Sequence, residues 1–450
     1  MTIGWEFWVQ LVTVAICLAI GGKLGGLGLG AAGGLGTCIL VLVFGMHPGS
    51  APISVILIII AVISCTSILQ GSGGLDLLVT VAEKLLRKWP KAITFVAPFV
   101  CSIFVIFVGT AYVAFAVYPV IAEVAISAKI RPERPLAASV ICAGIGVMAS
   151  PMSAAMAALI GVMAAQDISF SKVLLVCIPT YFFGCFCAAM SVMWRGKELE
   201  EDPEFQRRVR LGLFQELAPS FSLSGKPDTD NAKQNRSAKL GVFIFALGIL
   251  TAITIGSAAE LRPSWIINGK TELLAIPSLI QMVMLATGFL IIVACKVPSD
   301  KFASGSIFRA GLIGVVGVFG ISWLTGTFFD CYKPLFVEYF SSIATSAPIL
   351  FGLVCFAISG VIFSPSTSTA VLMPIGLSIG IPAPILIGMW PAFYGDFLIP
   401  GGAQIGCTGF DRTGTTKLGK YIFNHSYMRP GLVFVVSAVA CGLFLQSIVF

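Results

Sequence analysis

Apolar runs of about 20 residues recur from one end of this chain to the other, and each is long enough to cross ~30 Å of hydrocarbon as a helix. Hydrophobic residues make up 57% of the 450 residues and charged residues only 11%. A soluble protein of that composition could not cover itself with polar surface. The first run begins at Trp5 without a basic leader or a cleavage site, so we interpret it as a retained span rather than a signal peptide. The sequence predicts an all-α polytopic membrane protein.

One stretch, from Ile362 to Cys407, is apolar yet repeatedly interrupted. Its first interruption is the polar segment Ser364–Thr369, and its second is Pro400–Gly402. Pro400 has no backbone N–H to donate, and the two glycines that follow it are conformationally flexible. In hydrocarbon an unpaired backbone amide or carbonyl costs several kcal/mol, so irregular backbone persists only where it lines a protein cavity. Two such breaks in succession predict a binding site inside the membrane.

The chain divides into two halves that carry similar parts in the same order. Gly109-Thr110 in the first half matches Ser364-Pro365 in the second, and Ser150-Pro151 matches Pro400-Gly401. Matched interrupted segments in internal repeats indicate a secondary transporter with its site near the middle of the membrane. We assign a first repeat (1–194), a cytoplasmic linker (195–238) and a second repeat (239–450), with hairpins at 92–126 and 347–380 and broken helices at 136–165 and 383–410.

If each hairpin is re-entrant, each half crosses the membrane an odd number of times, so the halves face opposite ways. The sequence therefore predicts about ten transmembrane helices plus two re-entrant hairpins in two inverted-topology repeats. Positive charge agrees with this topology. With both termini outside, in the periplasm, 24 of the 28 Lys and Arg residues fall on the cytoplasmic side and four on the other. The net charge of +7 is thus an orientation signal, and nucleic-acid binding has no support.

Several landmarks of the sequence resemble the anaerobic C4-dicarboxylate transporter (Dcu) family of bacterial inner membranes, which belongs to a wider ion-transporter superfamily. The resemblance covers essentially the full length of the chain. The segments that carry it are Gly73–Asp76, Glu83–Arg87, Arg131–Pro135, Ala149–Ser153, Phe410–Lys420, Phe423–His425 and Pro430–Gly431. It implies exchange or cation-coupled uptake of fumarate, malate, succinate and aspartate in anaerobic metabolism. It also implies two re-entrant hairpins, an elevator motion and a homodimer.

Four positions depart from the family's usual sequence. Gly109-Thr110-Ala111 stands where the family usually has Gly-Thr-Gly, and Pro400–Ala403 stands where it has Pro-Thr-Tyr-Pro. Ser364–Ser368 replaces a Ser-Gln-Ala-Ala-like run, and Asp396 replaces an apolar or aromatic residue. Because three of the four lie in the proposed site, a related carrier for another organic anion or an amino acid, coupled to H⁺ or Na⁺, is the alternative. A channel or a transport-linked sensor is a third possibility.

A dicarboxylate brings two negative charges into a place of low dielectric constant. With few cations inside the membrane, hydroxyl groups and the amides at the N-termini of broken helices are the available partners. The alternative is that these hydroxyls bond carbonyls of their own or a neighbouring helix. The predicted substrate-binding residues are Gly109, Thr110, Ala111, Ser150, Pro151, Ser153, Ser364, Ser366, Thr367, Ser368, Pro400, Gly401 and Gly402.

Asp396 lies one helical turn before Pro400 in an apolar block. A carboxylate at the bilayer centre costs roughly 2.5–3.5 kcal/mol on insertion scales, so it should be protonated, paired with a cation or exposed to a water-filled cavity. We predict a site for a coupling ion, H⁺ or Na⁺, or a partner for an amino group of the substrate. A structural hydrogen bond to a neighbouring helix is the alternative.

Several other features support no catalytic chemistry. The thirteen cysteines lack paired metal-ligand spacing, and no nucleotide-binding or catalytic-triad pattern occurs. We therefore expect neither an enzyme nor a cofactor or metal. Arg412 and Lys417 are candidates for steering an anion at the cytoplasmic mouth, with binding of membrane lipid phosphate or orientation of the chain as alternatives. Gly22, Gly26, Gly30 and Gly34 repeat at four-residue spacing, which is typical of close helix packing or a subunit interface.

The predicted topology can be tested by placing single cysteines in two loops of a cysteine-free variant. We expect a cysteine at Lys270 to react with a membrane-impermeant maleimide in intact cells, and one at Lys84 to react only after the membrane is opened. The reason is that Lys84 belongs to the side that carries 24 of the 28 Lys and Arg residues and is predicted to be cytoplasmic, whereas Lys270 belongs to the other side. The opposite labelling pattern would show that the orientation is wrong.

Overall fold

The computed structural model describes residues 4–24, 26–49, 51, 53–163, 166, 168–212, 231–257, 259–267, 270–298, 306–362, 365–400, 402–418 and 424–450. These residues fold almost entirely into helices. In chain order the helices are α1 (Trp5–Leu24), α2 (Gly26–Cys38), α3 (Ile53–Gly71), α4 (Gly74–Lys88), α5 (Ile93–Val108), α6 (Tyr118–Ser127), α7 (Glu133–Gly146), α8 (Ala154–Met163), α9 (Phe170–Val192), α10 (Pro203–Arg210), α11 (Asn231–Ser257), α12 (Ile276–Cys295), α13 (Ser306–Ser346), α14 (Pro348–Ile362), α15 (Pro365–Ser378), α16 (Ala383–Met389), α17 (Gly402–Thr408) and α18 (Met428–Val449).

Short elements complete the described structure. Between α11 and α12, the antiparallel strands β1 (Ser264–Ile267) and β2 (Lys270–Leu273) form a small hairpin. A π-helical turn, Ile39–Val43, extends α2. Single 3₁₀ turns lie at Pro90–Ala92, Ala111–Ala116, Leu199–Glu201, Ala259–Leu261 and Trp390–Phe393.

Six helices of the described residues are long and apolar enough to cross a membrane. They are Pro90–Val108, Phe170–Val192, Arg236–Gly256, Ile276–Cys295, Val315–Tyr332 and Met428–Val449. The helices α3 and α4 form a further apolar pair that is bent by 74°, and Gly73 between them adopts φ 80°, which an L side chain rarely tolerates. The prediction of an all-α multi-pass membrane protein is confirmed. The count of about ten spans stays a prediction, because other apolar helices have only 10–17 residues.

The helix ends show where the chain is interrupted. We use "hairpin 1" for α5 to α6 and "broken helix 1" for α7 to α8. Correspondingly, "hairpin 2" is α14 to α15, and "broken helix 2" is α16, the turn Trp390–Phe393 and α17. Hairpins and broken helices follow one another in the same order in both halves. The division into repeats at the predicted boundaries, and their inverted orientation, stay predictions.

The largest hydrophobic core cluster contains parts of both halves. Its fully buried members include Val105, Ile141, Tyr181, Trp390 and Phe434, which come from α5, α7, α9, broken helix 2 and α18. Two smaller clusters join α3 to α11 and α12, and α1 to α13. Hairpin 1 and both broken helices therefore share one core, which fixes the interrupted segments relative to each other.

The glycine-rich helix α2 packs tightly on α13 of the same chain. A Cβ on Gly30 would collide with the backbone of Val316, and one on Gly33 would lie 2.6 Å from the backbone nitrogen of Ile321. Gly34, which belongs to the predicted four-residue repeat, has no atom within 4 Å of the position that an added Cβ would occupy. The prediction of close helix packing is correct, but the contact uses Gly30 and Gly33, three residues apart.

We expect Gly33→Ala to destabilise the protein by about 1–3 kcal/mol, because the added methyl group would force the backbones of α2 and α13 apart. The matched control is Gly34→Ala, where the methyl group meets open space. Thermal unfolding in detergent, followed by tryptophan fluorescence, compares the two variants. Equal melting temperatures would contradict the assigned packing.

Candidate substrate-binding site

Hairpin 1 touches broken helix 1 where both chains are interrupted. Gly109 ends α5 with φ 82°, and a Cβ there would lie 2.9 Å from the Met152 carbonyl oxygen and 3.4 Å from the Ser153 nitrogen. Both the positive φ and the close approach require glycine at this position. The contact places the partly exposed Thr110 and Ala111 next in sequence to a point of contact between the two breaks.

Ser150 and Ser153, both buried, hold the break of broken helix 1 in place. The Ser150 hydroxyl donates to the Ile106 carbonyl at 2.7 Å, and the Ser153 hydroxyl donates to the Val147 carbonyl. A serine hydroxyl has one proton to donate. In this conformation both protons are used to satisfy carbonyls of α5 and α7, so these two residues support the interrupted backbone.

Hairpin 2 contacts broken helix 2 in a comparable way. The Trp390 indole donates to the Thr369 hydroxyl at 2.8 Å, and the Gly395 amide donates to the Ser359 hydroxyl at 2.7 Å. A Cβ on Gly360 would lie 3.1 Å from the Gly395 carbonyl oxygen. Sequence reasoning missed these residues, although a tryptophan beside Pro391 and a glycine beside an intramembrane carboxyl group were signals that could have identified them.

The helices α8 and α15 pack on each other, and Ala154 at the start of α8 belongs to the same small hydrophobic cluster as Ala370 of α15. Each helix has unpaired amides and the positive end of its dipole at its N-terminus. An anion bound at either N-terminus would be stabilised by it.

The predicted hydroxyl residues of hairpin 2 occupy the first turn of α15. Thr367 and Ser368 are fully buried, whereas Ser366 is partly exposed. The Ser368 hydroxyl has no hydrogen-bond partner among the residues that the structure describes. It is therefore a donor that this conformation leaves available to a ligand.

The remaining predicted residues are connected less directly. Ser364 and Gly401 lie outside the described residues. Pro400 is partly exposed before α17, and α17 reaches hairpin 1 through Gly406, where a Cβ would lie 2.6 Å from the Phe115 ring. The structure thus brings Gly109, the 150–153 segment and α15 together, while Pro400 and Gly402 are linked to them only through α17.

Asp396 lies in the non-helical segment between the Trp390–Phe393 turn and α17. The residue is partly exposed, but its Oδ1 atom is buried and has no hydrogen-bond partner among the described residues. No group of three or more His, Cys, Asp or Glu residues able to hold a metal occurs in the described part of the chain.

A separate cluster of charged residues joins three loops. Glu133, which is buried, accepts hydrogen bonds from Arg131 and Ser426 at 2.6 Å each. Arg131 also pairs with Asp202 at 2.5 Å, and the Asp202 carboxylate caps α10 by accepting from two backbone amides of its first turn. This cluster fixes the start of the linker to the loops that precede α7 and α18.

The residues predicted to steer an anion lie beside this cluster. Arg412 forms an ion pair with Glu123 of α6, so its charge is at least partly neutralised within the chain. On α10, Arg207 and Arg208 lower the pKa of Glu204 to about 2. Burial lowers the pKa of His425, whose Nδ1 accepts a hydrogen bond from the Tyr427 amide. These groups tie loops together, and His425 also interacts with the backbone of Leu398 in broken helix 2.

A small, mostly apolar cavity lies between α7, α9, α18 and broken helix 2. It is lined by residues such as Met148, Thr180, Tyr181, Trp390 and Phe434. None of the predicted site residues lines it. The cavity is thus distinct from the predicted binding site.

Comparison with known proteins agrees with the membrane architecture. The family model for anaerobic C4-dicarboxylate membrane transporters, DcuA_DcuB, matches residues 6–450. The chain is 35% identical over 441 residues to the anaerobic C4-dicarboxylate transporter DcuB of Escherichia coli O6:H1, covering 97% of each chain. It is 33% identical over 448 residues to the C4-dicarboxylate transporter DcuA of Helicobacter pylori strain J99, covering 98% of each.

Among solved structures, the fold is similar to that of the YdaH transporter of Alcanivorax borkumensis, with a TM-score of 0.56. Sequence identity is 16%, and the similarity covers 98% of this chain and 97% of the other. That likeness concerns the fold alone. The family match over nearly the whole chain and the relatives at 33% and 35% identity show more: the chain belongs to the anaerobic C4-dicarboxylate membrane transporter (Dcu) family, whose members are transporters and not enzymes.

Proposed function

We propose that this protein is a secondary active transporter that carries C4-dicarboxylates, namely fumarate, malate, succinate and aspartate, across the bacterial inner membrane. Transport proceeds by exchange or by cation-coupled uptake. The observation that carries the proposal most directly is the meeting of interrupted segments: Gly109 lies against Met152 and Ser153, and α8 packs on α15. The names of the relatives support the substrate class.

The chemistry of this region suits an anion. The N-terminus of α15 offers amides and a positive dipole end, and the Ser368 hydroxyl in its first turn adds a donor without another described partner. Ser150 and Ser153 supply no free proton here, because each donates to a carbonyl. We therefore assign them to holding the break open for the substrate, and assign direct contact to the first turn of α15.

Alternating access requires the helix breaks to face each side of the membrane in turn. We propose an elevator motion, in which the core containing hairpin 1 and the broken helices moves against the helices outside it. The smaller clusters are centred on α3, α11 and α12 and on α1 and α13, and the first of them also includes Met152 and Ala157, where broken helix 1 would slide during the motion. Exposed apolar side chains such as Trp8 and Phe289 are suited to contact with lipid. In this proposal both termini lie in the periplasm. The proposed assembly is a homodimer.

A related carrier for another organic anion or an amino acid, coupled to H⁺ or Na⁺, is the second candidate. Asp396 favours this candidate. A carboxyl group close to the breaks would repel a dianionic substrate and would suit a substrate that carries a positive charge. The two candidates differ in which solute accelerates exchange.

The transport proposal can be tested by counterflow in proteoliposomes. We expect unlabelled fumarate inside the vesicles to accelerate entry of labelled fumarate, and external succinate, malate or aspartate to compete. The panel should include neutral amino acids and tricarboxylates, with and without Na⁺ and a pH gradient, and protein-free vesicles are the control. Competition only by solutes outside the C4-dicarboxylates would favour the second candidate, and conductance without saturable counterflow would indicate a channel.

The assignment of the serines predicts a contrast between two alanine variants. Ser368→Ala should raise the KM for the substrate about tenfold or more, since a hydrogen bond to a charged group contributes about 1.5–3 kcal/mol, and should leave thermal stability unchanged. Ser150→Ala should lower the free energy of unfolding by about 1–3 kcal/mol, because the Ile106 carbonyl loses its partner. Counterflow kinetics and thermal unfolding of both variants provide the measurement. A destabilised Ser368→Ala with unchanged KM would contradict the assignment.

A further inference from the structure

Asp396 is the carboxyl group placed at the junction between hairpin 2 and broken helix 2. Its neighbour Gly395 donates its amide to Ser359 of α14, and the Phe397 ring packs on Phe356 of the same helix with centroids 5.8 Å apart. On the other side, the Tyr394 ring lies directly on α7, where a Cβ on Gly144 would be 2.6 Å from the ring. The segment that carries Asp396 is therefore held by both halves of the protein.

No cation among the described residues is paired with this carboxyl group. The ion pairs of the described residues involve other carboxylates, and Oδ1 has no hydrogen-bond donor. The Tyr394 hydroxyl interacts with the carboxyl group but carries no charge, and the helix α15 carries no charged residue. The titratable or charged groups on the elements packed against this segment are Cys355 of α14, Glu133, Arg134 and Cys142 of α7, Arg429 and Cys441 of α18, and His425 before α18. Arg134 is paired with Glu198 at the start of the linker.

The other basic groups of that set, Arg429 and His425, do not neutralise Asp396. Arg429 is exposed. His425 accepts a hydrogen bond at Nδ1 from the Tyr427 amide, so in this conformation the ring is neutral and its proton is on Nε2. An ionised Asp396 would thus place negative charge on a buried oxygen atom, Oδ1, without a counter-charge, which proteins avoid by binding a proton or another cation.

The close packing of the segment limits what that cation can be. A Cβ on Gly360 would lie 2.9 Å from the Leu398 side chain and 3.1 Å from the Gly395 carbonyl oxygen. On this side the segment is therefore in direct contact with α14. A hard metal cation would need several oxygen ligands, and Asp396 is the single carboxyl group in the 390–400 segment. A proton needs neither space nor further ligands.

We propose that Asp396 binds and releases a proton during the transport cycle, and that the neutral acid is the form compatible with the closed packing of broken helix 2 on hairpin 2. This inference rests on the proposed transport function and adds the coupling site to it. When hairpin 2 separates from the 394–398 segment, water reaches the carboxyl group and the proton leaves for that side. Closure takes a proton up again. The proton is transferred whole between water and the Asp396 carboxyl oxygen, so no other reactant is needed.

The first test needs no transport substrate. We expect the infrared spectrum of the purified protein at neutral pH to contain the C=O stretch of a protonated carboxyl group, and expect the difference spectrum against Asp396→Asn to show its loss. The matched control is Asp76→Asn, which removes an exposed carboxyl group of α4 and should leave the band intact. The same band in Asp396→Asn as in the wild-type protein would overturn the inference.

The second test follows protons during transport. With a pH-sensitive dye inside proteoliposomes, we expect addition of fumarate to the wild-type protein to move protons, and Asp396→Asn to move one fewer per substrate. Fumarate counterflow should depend on pH in the wild type, and the midpoint should rise by about 0.4 pH unit in Asp396→Glu, as the intrinsic acidities of the two side chains require. Asp396→Glu also keeps the test valid if the Asn variant does not fold.

The two tests separate failure of the inference from failure of the proposed function. The proton site would be refuted if Asp396→Glu kept the wild-type pH midpoint and Asp396→Asn kept the infrared band. Counterflow would still support the carrier function in that case. Absence of counterflow with every C4-dicarboxylate would sink the carrier function, and the infrared result would still decide whether Asp396 holds a proton.

Discussion

The cost of an unpaired backbone group in hydrocarbon governs how the interrupted helices of this protein are built. Each break frees carbonyls and amides that a continuous helix would pair internally. Ser150 and Ser153 satisfy carbonyls of α5 and α7, and Ser359 accepts the freed amide of Gly395. The Ser150 and Ser359 bonds run between a hairpin and a broken helix, so satisfying the backbone there also fixes the two segments against each other. The Ser153 bond lies within broken helix 1.

Glycine makes these contacts possible. At Gly109 and Gly395 the backbone of one segment approaches that of another so closely that a side chain would collide with it. The Ser150 hydroxyl then reaches the Ile106 carbonyl across the contact, and α8 packs on α15. The proposed anion-binding region of amides and hydroxyls depends on such close approach, since a dipole acts over a short distance.

The charged cluster around Glu133 plays a different part. Arg131, Asp202 and Ser426 join the linker to the loops before α7 and α18 through buried, hydrogen-bonded charges. Removing one partner of such a cluster leaves an unpaired buried charge, which is costly. The start of the linker is therefore bound to α7 and to the loop before α18, both of which contribute to the largest core.

Apolar runs were enough to determine the fold class, because burial in lipid restricts the chain to helices. The transporter family was identified from landmark segments such as Arg131–Pro135 and Phe410–Lys420. The residues at the breaks were also visible in the sequence, as hydroxyl, glycine and proline residues in apolar surroundings. Their roles were not. Only the tertiary structure shows that the Ser150 hydroxyl donates to the Ile106 carbonyl, whereas the Ser368 hydroxyl has no described partner. It also shows that Gly30 and Gly33, and not Gly34, contact α13. Hydrogen-bond partners and helix faces depend on which distant segments meet, and that information is set by packing in three dimensions rather than by spacing along the chain.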